Sequence, residues 1–571
     1  MTDLSPRSYI GEPRYSPRTG QVVAGWDALA AALPPGPSVV AIDGPVVAAW
    51  SDVVSGLSNA LAERGIGVKC QDTCAWMLPW PRIQELTSSR GLRDDPDFDK
   101  LAEGELANLF DLPDRPDVAA DGVLLVYGPG AALLPHDVLC YADLPKRRAE
   151  SAVGEGSGLN LGQPPGNGPG TTKRLFYVDW PLLDRHRDRI AGRIDWWIDM
   201  QAPDGPAILD GPALRATLAD LSSRPFRVRP TFNTTPWGGH WGQQELGLNV
   251  GARNTALGYE LIAPESGILI GDAGGPTVEV PFQLAVTMHP RQLLGDAVHE
   301  VFGTSFPVRF DYLDTVGGGN LSVHCHPRSN YMREVFGWPY TQHETYYLMV
   351  GGDGRQVFLG LRDDADPEAF HQEAHDADAH GRQFEITRYV QTFAATPHQL
   401  FLIPAGTPHG SGEGNVVLEI SATPYLYSLR FYDWLRQGAD GKQRPVHVAH
   451  AFRNLDVDRR GEAVPRELIP EPQPLRHGQG WREELLGTLP EMFFEVRRVV
   501  IEPGAETTDD TVGRFHVLNV VEGDGVLVEA EGAPPHPLSY AETLLVPAAA
   551  GRYTLRSRSG NRVRVVKALV R

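Results

Sequence analysis

The sequence predicts a multidomain α+β protein: an N-terminal α/β domain over residues 1–215, then two β-barrels over 226–440 and 470–571. Three observations carry this. The chain has 571 residues, more than one core holds at roughly 100–200 residues per domain. Near Phe226 the texture changes from apolar runs followed by helix-spaced segments to short β-branched and aromatic runs between Gly, Pro and Asp turns. Glycine (61) and proline (48) are abundant while 42% of residues remain hydrophobic, a composition of many turns and strands and not of disorder.

In the first domain, Val39–Ile42 is an apolar run ending in Asp43-Gly44-Pro45, and the next segment places Val53, Val54, Leu57 and Leu61 at helical spacing. A second strand, Val123–Tyr127, runs into Gly128-Pro129-Gly130. Gly154–Gly170, rich in Gly, Pro, Ser and Asn, reads as a mobile loop, and residues 205–225 as a boundary. The strand, glycine turn and helix around Gly44 resemble the opening of a P-loop small-molecule kinase. In the pattern GxxxxGK[ST], Gly44 and Ser51 fit, but Ala49 replaces the second glycine and Trp50 the lysine. Without the lysine no point charge meets the phosphates, so the resemblance implies a kinase-like domain with a degenerate phosphate loop.

The second region carries strand-like runs at Val278–Val280, Tyr346–Val350, Gln356–Leu359, Leu400–Ile403, Val416–Ile420 and Tyr425–Phe431. Helical segments over Pro290–Val301 and Pro367–Ala379 interrupt them. The last region repeats the β texture at Val517–Val521, Val526–Glu529, Thr543–Val546 and Arg562–Val566, as a second, smaller barrel.

Charge and cysteine usage narrow the function classes. A net charge of −20 repels phosphate backbones and anionic lipid, which argues against nucleic-acid and membrane partners. Four scattered cysteines make neither a disulfide framework nor a four-cysteine zinc site, and the first residues have no apolar segment behind a basic start. A soluble cytoplasmic protein is expected.

The chemistry-bearing constellation lies in the first barrel. Side chains alternate along a strand, so in Leu321-Ser322-Val323-His324-Cys325-His326 the two imidazoles point one way and Cys325 the other. Glu344 precedes the apolar run Thr345–Val350, and Pro404-Ala405-Gly406-Thr407-Pro408-His409 closes another strand with a tight turn. Three His and one Glu can bind a divalent metal and leave positions open for substrate or water.

This spacing, HxH, a downstream Glu and PxGxxH, resembles the two cupin motifs. From Phe226 to Trp434 the order is similar to that of type I mannose-6-phosphate isomerases: Thr234–Gly239, Gln292–Gly295, Asn320–Val323, Glu344–Val350, Ile403–His409, and Leu418–Ile420 with Arg430–Trp434. The resemblance implies a barrel in which His324, His326, Glu344 and His409 hold one divalent metal ion, most simply zinc. It further implies a metal-dependent isomerase that interconverts mannose 6-phosphate and fructose 6-phosphate, with a small-molecule sugar phosphate as partner. Arg430 matches the family's arginine and would contact phosphate or a developing oxyanion. Trp237 and His240 would line the mouth. The family commonly has Gln at the position of His324, and a lysine where this chain has Gln342. No lysine lies between Lys173 and Lys442; Gln342 is taken as a substrate-binding candidate, and the proton would move through His343, a metal-bound water or another acid. A cupin dioxygenase and a non-catalytic sugar-phosphate-binding protein stay open beside the isomerase.

Other candidates read as structural. His371 and His375 sit among acidic residues on a solvated helix face, and Cys70 and Cys74 lack nearby partners. His516 stands alone, and Val546–Gly551 has no histidine, so the last barrel should be metal-free.

Overall fold

The computed structural model describes residues 8–89, 91–114, 122–352, 354–438 and 441–571. It is a multidomain α+β architecture. The N-terminal unit is built on a seven-stranded sheet in the order Val23–Ala24, Ala207–Asp210, Trp196–Asp199, Val138–Asp143, Ser38–Asp43, Val123–Tyr127, Val68–Asp72. The five strands from Trp196–Asp199 to Val68–Asp72 are parallel. Ser38–Asp43 is central and buried along its whole length, which explains its continuous apolar run. The following helix, Trp50–Glu63, buries Val53, Leu57, Ala60 and Leu61 against the sheet.

The second unit pairs a six-stranded antiparallel sheet with a five-stranded one. The first contains Val308–Asp314, Glu344–Val350 and Val416–Ala422; the second contains Val323–Cys325, His409–Ser411 and Leu429–Tyr432. The C-terminal unit repeats the plan with six and four strands. Helices Val448–Asn454 and Ala463–Leu468 lie between the two β units.

The three units share buried surface. One apolar cluster includes Val39 and Trp197 of the first, Phe282 and Tyr346 of the second, and Phe515 and Val566 of the third. Polar links cross the same boundaries. Glu279 accepts from Arg147 at 2.6 Å and Arg229 at 2.7 Å, while Tyr312 donates to Asn519 at 2.9 Å.

Three local expectations are corrected. The loop Gly154–Gly170 is pinned: Leu161 is buried, and the Asp179 carboxylate accepts from Asn160 Nδ2 at 2.8 Å and from the Leu161 amide at 3.1 Å. The helix over 290–301 is two, Pro290–Leu294 and Asp296–Phe302. It breaks at Gly295, where φ is 86° and an added Cβ would lie 1.8 Å from the Gly513 carbonyl oxygen, a backbone approach that only glycine permits. The strand over Tyr425–Phe431 begins only at Leu429, because Leu426 takes a left-handed φ of 75°.

Candidate metal centre

His324, His326 and His409 each bring one ring nitrogen to a common point, all within 4.8 Å of one another, and all three rings are buried. His324 and His409 face each other across neighbouring strands of the five-stranded sheet, and Glu344 reaches in from the six-stranded sheet. The remaining ring nitrogens are tied to the backbone. His324 Nδ1 lies 2.9 Å from the Ser322 carbonyl, His409 Nδ1 2.9 Å from Thr407, and His326 Nδ1 3.3 Å from Tyr427. A carbonyl only accepts, so each Nδ1 carries the proton and each Nε2 presents a lone pair inward.

Those lone pairs meet a carboxylate. Glu344 Oε2 is 2.5 Å from His326 Nε2, and Glu344 Oε1 is 3.7 Å from His409 Nε2. Two acceptors so close require a proton or a cation between them. Glu344 Oε1 and His409 Nε2 are buried with no hydrogen-bond partner among the described residues. An unpartnered carboxylate oxygen and imidazole nitrogen facing one point suit a divalent metal ion, and backbone-anchored imidazoles are the usual support of such ligands. Burial, with the neighbouring rings, pushes His324 far below the ordinary histidine range, and burial pushes His326 down to about 4. Burial lowers His409 as well, and the neutral imidazole is the form that ligates a metal.

The centre opens into a cavity of about 450 Å³. Gln342, Trp237 and Arg430 line it, together with Tyr346, Arg309, Asp311 and Glu419. Gln342 Nε2 donates to Glu344 Oε2 at 3.0 Å. Arg309 pairs with Glu419, donates to Ser421 Oγ at 2.6 Å and lies 3.5 Å from Asp311. Burial and the Glu419 charge raise the Asp311 carboxyl well above the carboxylate range, and its Oδ1 has no hydrogen-bond partner among the described residues. Arg430 donates to the Pro445 carbonyl at 2.8 Å; burial and the adjacent Arg444 bring its guanidinium down to about 10. Asp433, a conceivable structural partner of Arg430, is taken by Arg436 and Arg444, and Glu419 by Arg309.

His343 is not among the residues that line the cavity. Neighbouring strand residues face opposite ways, so with Gln342 and Glu344 inward, His343 points outward and accepts from the Ala405 amide at 3.2 Å. His240 is likewise absent from the lining and contacts Gln243 at 2.7 Å. Arg309 and Asp311 were not singled out from the sequence, though charges at alternate positions of the apolar strand Val308–Asp314 are a signal for an inward polar face. His371 and His375 lie on the helix Pro367–His380, and the histidine trio alone forms a metal-type group among the described residues.

A comparison with protein families matches residues 25–223 to a domain of unknown function, DUF8485. The mannose-6-phosphate isomerase ManA of Bacillus subtilis is 24% identical over 343 residues, covering 59% of this chain and 96% of that protein. The mannose-6-phosphate isomerase of Streptococcus mutans is 24% identical over 249 residues, covering 43% and 72%. Among solved structures, the B. subtilis mannose 6-phosphate isomerase superimposes with a TM-score of 0.48 at 18% identity, over 60% of this chain and 99% of that one. A zinc-bound mannose 6-phosphate isomerase gives 0.45 at 15% identity, over 60% and 99%. The chain is thus homologous to mannose-6-phosphate isomerases over part of its length, and residues 25–223 resemble a domain without assigned function.

Proposed function

We propose that this protein is a metal-dependent aldose–ketose isomerase acting on a sugar phosphate, with mannose 6-phosphate to fructose 6-phosphate as its reaction. The observation that carries the reading is the convergence of three buried Nε2 lone pairs and an unpartnered Glu344 oxygen at the cavity floor. The names of the homologues support the substrate class. His324, His326, His409 and Glu344 would hold the metal, taken here as zinc, which supplies positive charge beside the carbonyl end of the sugar as a Lewis acid.

The remaining steps fall to the chain itself. Isomerisation moves a proton between the two carbons next to the carbonyl, and Gln342 cannot exchange one near neutral pH. Asp311, whose carboxyl burial and the Glu419 charge raise, and Glu419, opposite it in strand register, are the acid and base candidates on this cavity. Arg430 supplies charge-assisted donors to the anionic substrate, and Trp237 and Tyr346 are apolar walls that exclude water.

On this reading both sheet pairs are cupin barrels, and the last is metal-free because Lys567 lies between Glu483 at 2.6 Å and Asp509 at 2.5 Å. The N-terminal unit is a kinase-like scaffold that transfers no phosphate. Its turn donors are already used: the Asp43 carboxylate accepts from the amides of Gly44 at 2.8 Å, Gly130 at 3.2 Å and Ala132 at 2.8 Å. A Trp50 ring atom comes within 3.2 Å of a Cβ placed on Gly44, so the ring fills the space over that turn.

The test is the metal content of purified variants. His326→Ala and Glu344→Ala should each lose bound metal at least tenfold by elemental analysis while keeping the melting curve of the metal-free protein. Retention of stoichiometric metal in either variant would remove the basis for the reading.

A further inference from the structure

The cavity around the metal centre is not closed by the β unit alone. Pro96, Asp97, Phe98, Thr172, Lys173, Phe176 and Tyr177, all from the N-terminal unit, form one of its walls. This wall is docked, not merely adjacent. Phe98 is buried with its ring 5.3 Å from Phe336 and 4.7 Å from His447, the Leu101 amide donates to the Phe336 carbonyl at 3.0 Å, and Asp95 meets His450 at 2.7 Å. Asp97 lies 3.5 Å from His447. Where the wall's helix passes the cavity it widens into a π turn over Leu175–Asp179, displacing the residues that follow Lys173.

Lys173 is the chemically telling residue of this wall. Its ammonium donates to the carbonyls of Leu92, at 3.1 Å, and of Asp95, and no carboxylate lies within ion-pair distance of it among the described residues. An ammonium has three donors, so one is left over together with a full positive charge. The same cavity is lined by Arg430, which also has no carboxylate in ion-pair distance among the described residues. Two cations without carboxylate partners on one cavity demand an anion, and they come from different domains.

We propose that the N-terminal domain completes the substrate site, and that Lys173 binds the phosphate of a phosphorylated sugar in the cavity that Arg430 also lines. This rests on the sugar-phosphate reading above. It gives a role to a domain whose own turn donors are occupied by Asp43, and it places a lysine on the site although the strand before Glu344 carries Gln342. Asp97 shares the wall and stays turned to His447.

The experiment is calorimetric titration of the zinc-loaded full chain with mannose 6-phosphate, mannose and inorganic phosphate, for the wild type, Lys173→Gln and Lys173→Arg. Glutamine keeps two donors for the Leu92 and Asp95 carbonyls and removes the charge. A charge-assisted hydrogen bond is worth about 10- to 100-fold in affinity. Lys173→Gln should therefore weaken mannose 6-phosphate and inorganic phosphate by at least about tenfold, leave mannose unchanged, and keep the wild-type melting temperature; Lys173→Arg should restore most of the loss. Equal binding of mannose 6-phosphate by Lys173→Gln and the wild type overturns the proposal, as does an equal loss for mannose, the mark of a structural role. Absence of phosphate and sugar-phosphate binding by the wild type overturns it too. Lys173-dependent phosphate binding without any sugar-phosphate turnover would support the anion site and defeat the isomerase reading.

Discussion

Two of the three imidazoles are aimed by the same local device: His324 and His409 each donate Nδ1–H to the carbonyl two residues earlier, so the strand that carries the ligand also fixes its tautomer. A pH prediction follows from the third. His326 has a folded pKa near 4, below the unfolded value of about 6.5, so its neutral form is the folded one. Its contribution to stability is present above about pH 6.5 and is lost as pH falls toward 4, and protons begin to compete with metal over that lower range. Zinc content at fixed free zinc should be flat from about pH 8 to 6.5 and fall as pH approaches 4; a decline centred near 6.5 would contradict the burial argument. The four ligand candidates were legible because HxH, the Glu and PxGxxH are local patterns. His343 stands between Gln342 and Glu344, and alternation turns it away from the cavity, toward the Ala405 amide. Asp311 was not singled out, because its meeting with Glu419 depends on the register of strands about a hundred residues apart.

In the C-terminal unit a buried ammonium stands between two carboxylates. Lys567 is 1% exposed and is flanked by two carboxylates, with His516 Nδ1 at 2.8 Å from Tyr553 Oη. Interaction with the lysine holds Asp509 down to about 2 against burial. Removing the buried ammonium leaves Glu483 and Asp509 with Arg476, at 2.5 and 3.1 Å, as their shared cation, so Lys567→Met should cost about 1.5–3 kcal/mol in urea unfolding. A loss below about 1 kcal/mol would mean the carboxylates are relieved by water instead. The contacts of Lys567 with Glu483 and Asp509 are not legible in the sequence, because they join three different strands of the unit. The split of the 290–301 helix was hidden for the same reason, since Gly513 belongs to another unit.

At the scale of the whole molecule, composition and texture gave the division into an α/β part and two β parts, while the continuity between them depends on long-range packing. One apolar cluster and the Arg147–Glu279–Arg229 and Tyr312–Asn519 links join all three units. Thermal unfolding of the full chain should therefore show one calorimetric transition, moved upward by zinc as ligand linkage requires. A separate early transition insensitive to zinc would show that the N-terminal unit unfolds independently and does not form a fixed wall of the cavity. The central claim, that the histidine–glutamate centre drives sugar-phosphate isomerisation, is tested most directly by turnover. Purified protein is stripped of metal by chelation, divided, and given mannose 6-phosphate with and without restored zinc, following mannose 6-phosphate and fructose 6-phosphate together. The account predicts interconversion that disappears on stripping and returns with zinc; no conversion by folded, zinc-loaded protein would contradict it.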